Sequence, residues 1–110
     1  MHLANALLVF PALAAAAETF VQPFQSWDCV NQARGPIGTG EFGHCINIGT
    51  QALSLAMEKK TNIAAIFCTI YGEENCTGDR REFITLNKVG AAHVCKNPSL
   101  NGFKSISCAT

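Results

Sequence analysis

The sequence has no excess of either charge and few charges in total. Among its 110 residues, Lys and Arg together number 8 and Asp and Glu together number 8, so the formal net charge is 0 with histidine neutral. Nucleic acids and anionic membranes are bound through basic surfaces, so we expect neither as a partner. Membrane-disrupting peptides also present a basic face, which counts against a membrane-active toxin.

The sequence also lacks the residue spacings of metal sites and hydrolytic enzymes. Zinc sites use cysteine pairs about two to four residues apart, whereas the closest cysteines here, Cys68 and Cys76, are eight positions apart. His44 and His93 each lie near a cysteine that we expect to be oxidised, and their spacing does not favour general acid–base catalysis. We therefore predict no catalytic residue, no metal and no cofactor.

Long apolar runs are absent, and the N-terminal segment contains a short one. Residues 7–13 are apolar but interrupted by Pro11, and four alanines follow at 14–17. The run is shorter than the roughly 20 residues that cross a bilayer, and its small-residue end is typical of a signal peptidase site. The pattern predicts a signal peptide over 1–17, a mature chain beginning at Glu18, and no membrane span.

The sequence does contain six cysteines, all beyond the predicted leader: Cys29, Cys45, Cys68, Cys76, Cys95 and Cys108. An even number of cysteines in a short exported chain is typical of a disulfide framework. A core this small leaves stability marginal, and each disulfide can add about 3 kcal/mol. We predict one disulfide-rich extracellular domain over 18–110.

The mature chain is predicted to be mainly β, because segments rich in β-branched and aromatic residues are separated by turn residues. Alternation of apolar and polar residues at 53–58 predicts a half-buried strand, followed by a turn at 59–62 and a second apolar strand at 63–71. Further strands are predicted at 82–86, 92–95 and 103–108. Residues 52–60 also have good helix propensity, so a small α+β fold with a helix there is the alternative.

Part of the sequence repeats after about 50 residues. A cysteine, an asparagine two positions on and a later serine occur twice: Cys45, Asn47 and Ser54, then Cys95, Asn97 and Ser105. Cys29 and Cys76 precede the two copies at similar distances. We predict two four-stranded units, 20–58 and 63–110, packed into a sandwich; chance similarity is the alternative.

The second copy resembles the Greek-key motif of the βγ-crystallins. Tyr71, six residues and then Gly78 match its aromatic–glycine hairpin, and Ser105 matches its later serine. The resemblance implies a Greek-key sandwich in which the glycine adopts a positive φ and the serine hydrogen-bonds to the folded hairpin. Calcium-binding members carry acidic or amide ligands before that serine; here only Asn101 fits and Lys104 does not, so no metal is predicted.

The Greek-key geometry implied by this resemblance places the first and last strands of a unit side by side, so that Cys68 can pair with Cys108. The repeat then suggests the pairs Cys29 with Cys45 and Cys76 with Cys95. These pairings are structural hypotheses, since cysteine connectivity does not follow from sequence alone.

The overall format also resembles the small secreted cysteine-rich proteins of fungi, some of which are effectors and others killer toxins. We predict a secreted, non-enzymatic, monomeric interaction protein that binds an extracellular protein or cell-surface target of a host or microbe. The alternatives are an antimicrobial or killer-type toxin and a hydrolase inhibitor that presents the glycine-rich segment 35–43.

Three further features concern the surface. Asn75, followed by Cys76 and Thr77, forms an N-glycosylation sequon.

The single tryptophan, Trp27, is expected to pack on a disulfide, with an exposed binding cluster as the alternative. The dibasic pairs at 59–60 and 80–81 are expected to be solvated, although a processing protease could cut them.

Overall fold

The computed structural model describes residues 18–110, so the predicted signal peptide over 1–17 lies outside the described residues. The described chain is mainly β, with two short 3₁₀ turns at Thr39–Glu41 and Glu74–Cys76 and no α-helix among its elements. The nine strands are β1 (Phe20–Ser26), β2 (Val30–Gln32), β3 (Ile37–Gly38), β4 (Cys45–Ala52), β5 (Ser54–Lys59), β6 (Ile66–Tyr71), β7 (Arg81–Leu86), β8 (Ala92–Lys96) and β9 (Phe103–Ala109).

The strands form two antiparallel sheets. The first sheet has the order β2-β1-β5-β8, with β3 also paired to β1, and the second has the order β4-β9-β6-β7. Strand β4 precedes β5 in the chain but lies in the second sheet, while β8, from the C-terminal half, pairs with β5 in the first sheet. Each half of the chain therefore contributes one strand to the sheet built mostly from the other half.

The alternative helix at 52–60 is wrong, because residues 54–59 form the central strand β5. Leu55 and Met57 alternate with less buried residues and point into the core, where each is fully buried. The strand pairs with β1 on one side and β8 on the other, so the sheet satisfies its backbone groups. Tertiary pairing and burial outweigh the modest helix propensity of this stretch.

The core combines buried side chains from both sheets. In β6, Ile66, Cys68 and Ile70 are fully buried, and Phe67 between them is exposed. This period of two places one face of the strand in the core and the other in solvent. Burying an aliphatic side chain of this size contributes about 1.5–3 kcal/mol.

Lys59, at the end of β5, is buried rather than solvated. Its Nζ donates hydrogen bonds to the backbone oxygens of Ile63 and Gly90, which belong to the β5–β6 and β7–β8 loops. The expectation of two solvated dibasic pairs is therefore wrong for this residue, whereas Lys60 is exposed. The buried ammonium group holds two loops together at one end of the two-sheet structure.

Candidate interaction surface

A folded hairpin between β6 and β7 covers part of the outer face of the second sheet. Ser105 in β9, fully buried, accepts a hydrogen bond from the backbone N of Cys76 (2.9 Å) and donates one to the backbone O of Glu73 (2.5 Å). Gly78 has a φ of 99°, a conformation that suits glycine. Tyr71 lies directly opposite Ser105 in the β6–β9 register. The three residues that carry the sequence motif therefore meet at this hairpin.

The β1–β2 hairpin in the first half has the same hydrogen-bond arrangement. Ser54 Oγ accepts from the backbone N of Cys29 (2.9 Å) and donates to the backbone O of Ser26 (2.6 Å). Asp28 and Cys29 have positive φ values of 63° and 58°, and Asn75 and Cys76 in the other hairpin have values of 61° and 53°. Each hairpin is thus held over its sheet by one serine hydroxyl.

Two asparagines fasten these hairpins to strands from the opposite half of the chain. Asn47 Oδ1 accepts from the backbone N of Asn75 (2.7 Å), and Asn47 Nδ2 donates to Asn75 Oδ1 (2.8 Å). Asn97 makes the same pair of bonds to Asp28, both at 2.8 Å. Asn75, the predicted glycosylation residue, is exposed and is itself a partner in the contact with Asn47.

We call β4 and β8 the exchanged strands, because each lies in the sheet built mostly from the other half of the chain. Two of the three disulfides join an exchanged strand to the opposite half. The structure forms the expected Cys68–Cys108 bond between directly opposed residues of β6 and β9. The other two bonds are Cys29–Cys95 and Cys45–Cys76, so the predicted pairs Cys29 with Cys45 and Cys76 with Cys95 are wrong.

The error has a physical cause. The prediction assumed that each unit keeps all its strands in one sheet, whereas β4 and β8 lie in the sheet of the other half. The cysteine on each exchanged strand therefore lies beside the hairpin of the opposite half, and the two bonds cross-link the halves.

The uncovered part of the second sheet carries an exposed aromatic pair. Phe67 and Phe83 are 38% and 62% exposed, with ring centroids 6.1 Å apart and planes inclined by 16°. The residues paired with them point the same way and are neutral. We call this surface the aromatic face, and its members are Phe67, Thr69, Phe83, Thr85, Ser107 and Ala109.

Sequence reasoning assigned no role to Phe67 or Phe83. The alternation within β6 could have placed Phe67 on the outer face, since it stands between the buried residues Ile66 and Cys68. The juxtaposition with Phe83 depends on the register between β6 and β7, which pairs Phe83 with Thr69. That register is not visible in the composition of either strand.

The remaining surface candidates lie apart from the aromatic face. Trp27 is 44% exposed and lies on the hairpin between β1 and β2. Residues 35–43, the candidate inhibitor segment, are not a free loop, because Ile37 is buried and pairs with Val21. An ion pair of 3.6 Å between Arg34 and Glu41 bridges the segment.

The histidines are not brought together. His44 precedes β4 of the second sheet, and His93 lies on β8 of the first sheet opposite Glu58. Residues 18–110 contain no cluster of three or more His, Cys, Asp or Glu side chains suited to a metal ion. No helix within this range is long and apolar enough to cross a membrane.

No protein-family model, curated protein or solved structure matches this chain.

Proposed function

We propose that this protein is a secreted, non-enzymatic interaction protein that binds a target of a host or competing microbe outside the producing cell. The observation that carries the proposal is the aromatic face, where two phenylalanine rings lie exposed on an ordered sheet and have uncharged cross-strand partners. Exposed aromatic side chains are typical of binding surfaces. Three disulfides in a chain this small are typical of extracellular proteins and support the proposed extracellular location.

The proposed architecture is a duplicated Greek-key sandwich similar to that of the βγ-crystallins. Three features support it: the exchanged strands β4 and β8, the two serine-held hairpins, and the matching Asn47 and Asn97 contacts. Fold similarity does not transfer activity. The functional proposal therefore depends on the surface of this chain.

The chemistry of the described residues supports a non-enzymatic role. All six cysteines are bonded, so none can act as a thiolate nucleophile. The cleft bordered by Glu18 and Lys60 contains neither histidine, and the two histidines lie at different sheets. The described part of the chain thus offers neither a cysteine nucleophile nor a pair of histidines for acid–base catalysis.

Cell binding tests the proposal. Oxidised, fluorescently labelled protein spanning 18–110 would be titrated onto intact yeast, filamentous-fungal, bacterial and plant cells. The double variant Phe67→Thr/Phe83→Thr removes both rings and keeps strand propensity. The control, Val89→Thr, removes a fully exposed apolar side chain from the β7–β8 loop. We expect the double variant to bind at least ten-fold more weakly to the recognised cell type, and the control to bind like the wild type.

Two results would overturn the proposal. Equal binding by the wild type and the double variant would exclude the aromatic face. Dose-dependent killing of the panel by oxidised protein, lost on reduction, would replace the binding function with a toxin function. Circular dichroism and a disulfide map of every variant would verify that the fold is retained.

A further inference from the structure

We infer that the aromatic face binds a neutral, hydroxyl-rich polysaccharide of a cell surface. This inference rests on the proposed function and names the chemical class of its target. It depends on the rings, on the hydroxyl groups around them, on the absence of charge among the six residues of the face and on the rigidity of the supporting strands.

The two rings suit the apolar faces of sugar rings. A pyranose presents C–H groups on its faces and hydroxyl groups around its edge, so it can pack flat against an aromatic ring. The planes of Phe67 and Phe83 differ by only 16°, so the rings share one orientation. The two stacked rings, with centroids 6.1 Å apart, form one apolar patch against which a sugar ring can pack.

Hydroxyl groups lie in the same surface. Thr85 is directly opposite Phe67, and Thr69 lies between Phe83 and Ser107 in the strand register. Among residues 18–110 these three hydroxyls form no hydrogen bond, unlike that of Ser105, which is bonded within the hairpin. They are half-buried and remain available as donors and acceptors for sugar hydroxyls.

The composition of the aromatic face favours a neutral ligand, since none of its six residues is charged. Arg81, two positions from Phe83 on the same side of β7, and Lys96, which lines a groove with Phe83 and Thr85, lie at the border of the face. Phosphate groups, sulfated glycans and nucleic acids require cations at the site. A polymer of uncharged sugars matches this face, because its binding leaves no buried charge without a partner.

The supporting strands hold the face in place before binding. Strand β6, which carries Phe67, is paired on both sides and linked to β9 by the Cys68–Cys108 bond. Strand β7, which carries Phe83, is the edge of the sheet and is held there by hydrogen bonds from Ser99 Oγ and Leu100 N to the Glu82 carboxylate. A rigid surface loses little conformational entropy on binding.

Polysaccharide binding tests the inference. The oxidised protein would be mixed with insoluble β-1,3-glucan, chitin, cellulose and mannan, with polygalacturonate as an anionic comparison, at 0 and about 1 M added salt, at which exposed charges are screened. We expect retention on at least one neutral polymer, insensitive to salt and reversed by its soluble oligosaccharide. Phe67→Thr and Phe83→Thr should each weaken binding at least five-fold, whereas Val89→Thr should not.

The outcomes separate this inference from the proposed function. Cell binding that needs the aromatic face, survives enzymatic removal of polysaccharide from the cells and is lost after protease treatment of the cells would identify a protein target. In that case the inference fails and the proposed function stands. If no neutral polymer is retained and sedimentation shows a dimer that depends on Phe83, a second copy occupies the face and both fail. Retention only on polygalacturonate, abolished by salt, would also overturn the inference.

Discussion

Replacing Ser105 by alanine should destabilise the protein far more than a surface serine substitution does. The Ser105 hydroxyl is fully buried and bridges the backbone N of Cys76 and the backbone O of Glu73. Alanine keeps the strand but leaves both backbone groups without this partner. An unsatisfied buried polar group costs about 1–3 kcal/mol.

We expect the free energy of unfolding to fall by about 2–3 kcal/mol, because the hairpin can relax and admit water to one of the two groups. In a domain of this size about 1 kcal/mol corresponds to roughly 4–8 °C in Tm. The midpoint should therefore drop by roughly 10 °C or more. The Cys45–Cys76 bond still tethers the hairpin, so the fold should survive the change.

Ser107→Ala is the matched control. It is the same substitution two residues along β9, at a half-exposed position that lies opposite Cys45. Denaturant unfolding and calorimetry of oxidised 18–110 would compare the two variants, and Ser54→Ala should match Ser105→Ala because its contacts are equivalent. A loss for Ser105→Ala within about 0.5 kcal/mol of the control, the usual range of surface substitutions, would refute the reasoning.

Three further predictions follow from local geometry. Gly78→Ala should cost about 1 kcal/mol or more in denaturant unfolding, because its φ is 99°, whereas Gly35→Ala, in open space, should be nearly neutral; equal costs would contradict this. Lys59→Ala should lower Tm clearly more than Lys60→Ala, since only the first amine is buried. A dibasic-specific protease should cut the native protein after exposed Arg81 and not at Lys59 and Lys60. The two fragments should separate only after reduction, because two disulfides join them. Cleavage at both dibasic pairs would contradict the burial of Lys59.

Much of the fold could be predicted from local patterns in the sequence. Apolar alternation identified the strand that became β5, and the predicted strands at 82–86 and 103–108 lie within β7 and β9. The Cys68–Cys108 pair could be inferred because its two strands are neighbours within the second half. These features depend on short-range periodicity or on pairing inside one half.

The exchange of β4 and β8 could not be predicted in the same way. Cys45 and Cys95 lie in similar sequence contexts, and nothing local indicates that each faces the hairpin of the opposite half. The choice depends on how the two sheets share strands, which is a property of the whole topology. A repeat in sequence predicts equivalent surroundings for equivalent residues, but not whether a contact forms within a unit or between units.

The aromatic face, like the exchanged strands, could be predicted only in part from the sequence. Phe67 stands at an outward position of an alternating strand, so its exposure could be predicted. Its neighbour Phe83 is 16 positions away in sequence and reaches it only through the β6–β7 register. Sites made of cross-strand neighbours therefore become visible once pairing is known.

The contacts that hold the two halves of the chain together do not include the residues of the proposed binding surface. Ser54, Ser105 and the two cross-linking disulfides fasten the halves through the hairpins and the exchanged strands. Phe67 and Phe83 belong to none of these contacts, and their outward side chains leave the core on the other side of the sheet intact. Substitutions on the aromatic face should therefore alter binding with little change in stability, because the groups that we propose to recognise a ligand are not those that hold the sheets together.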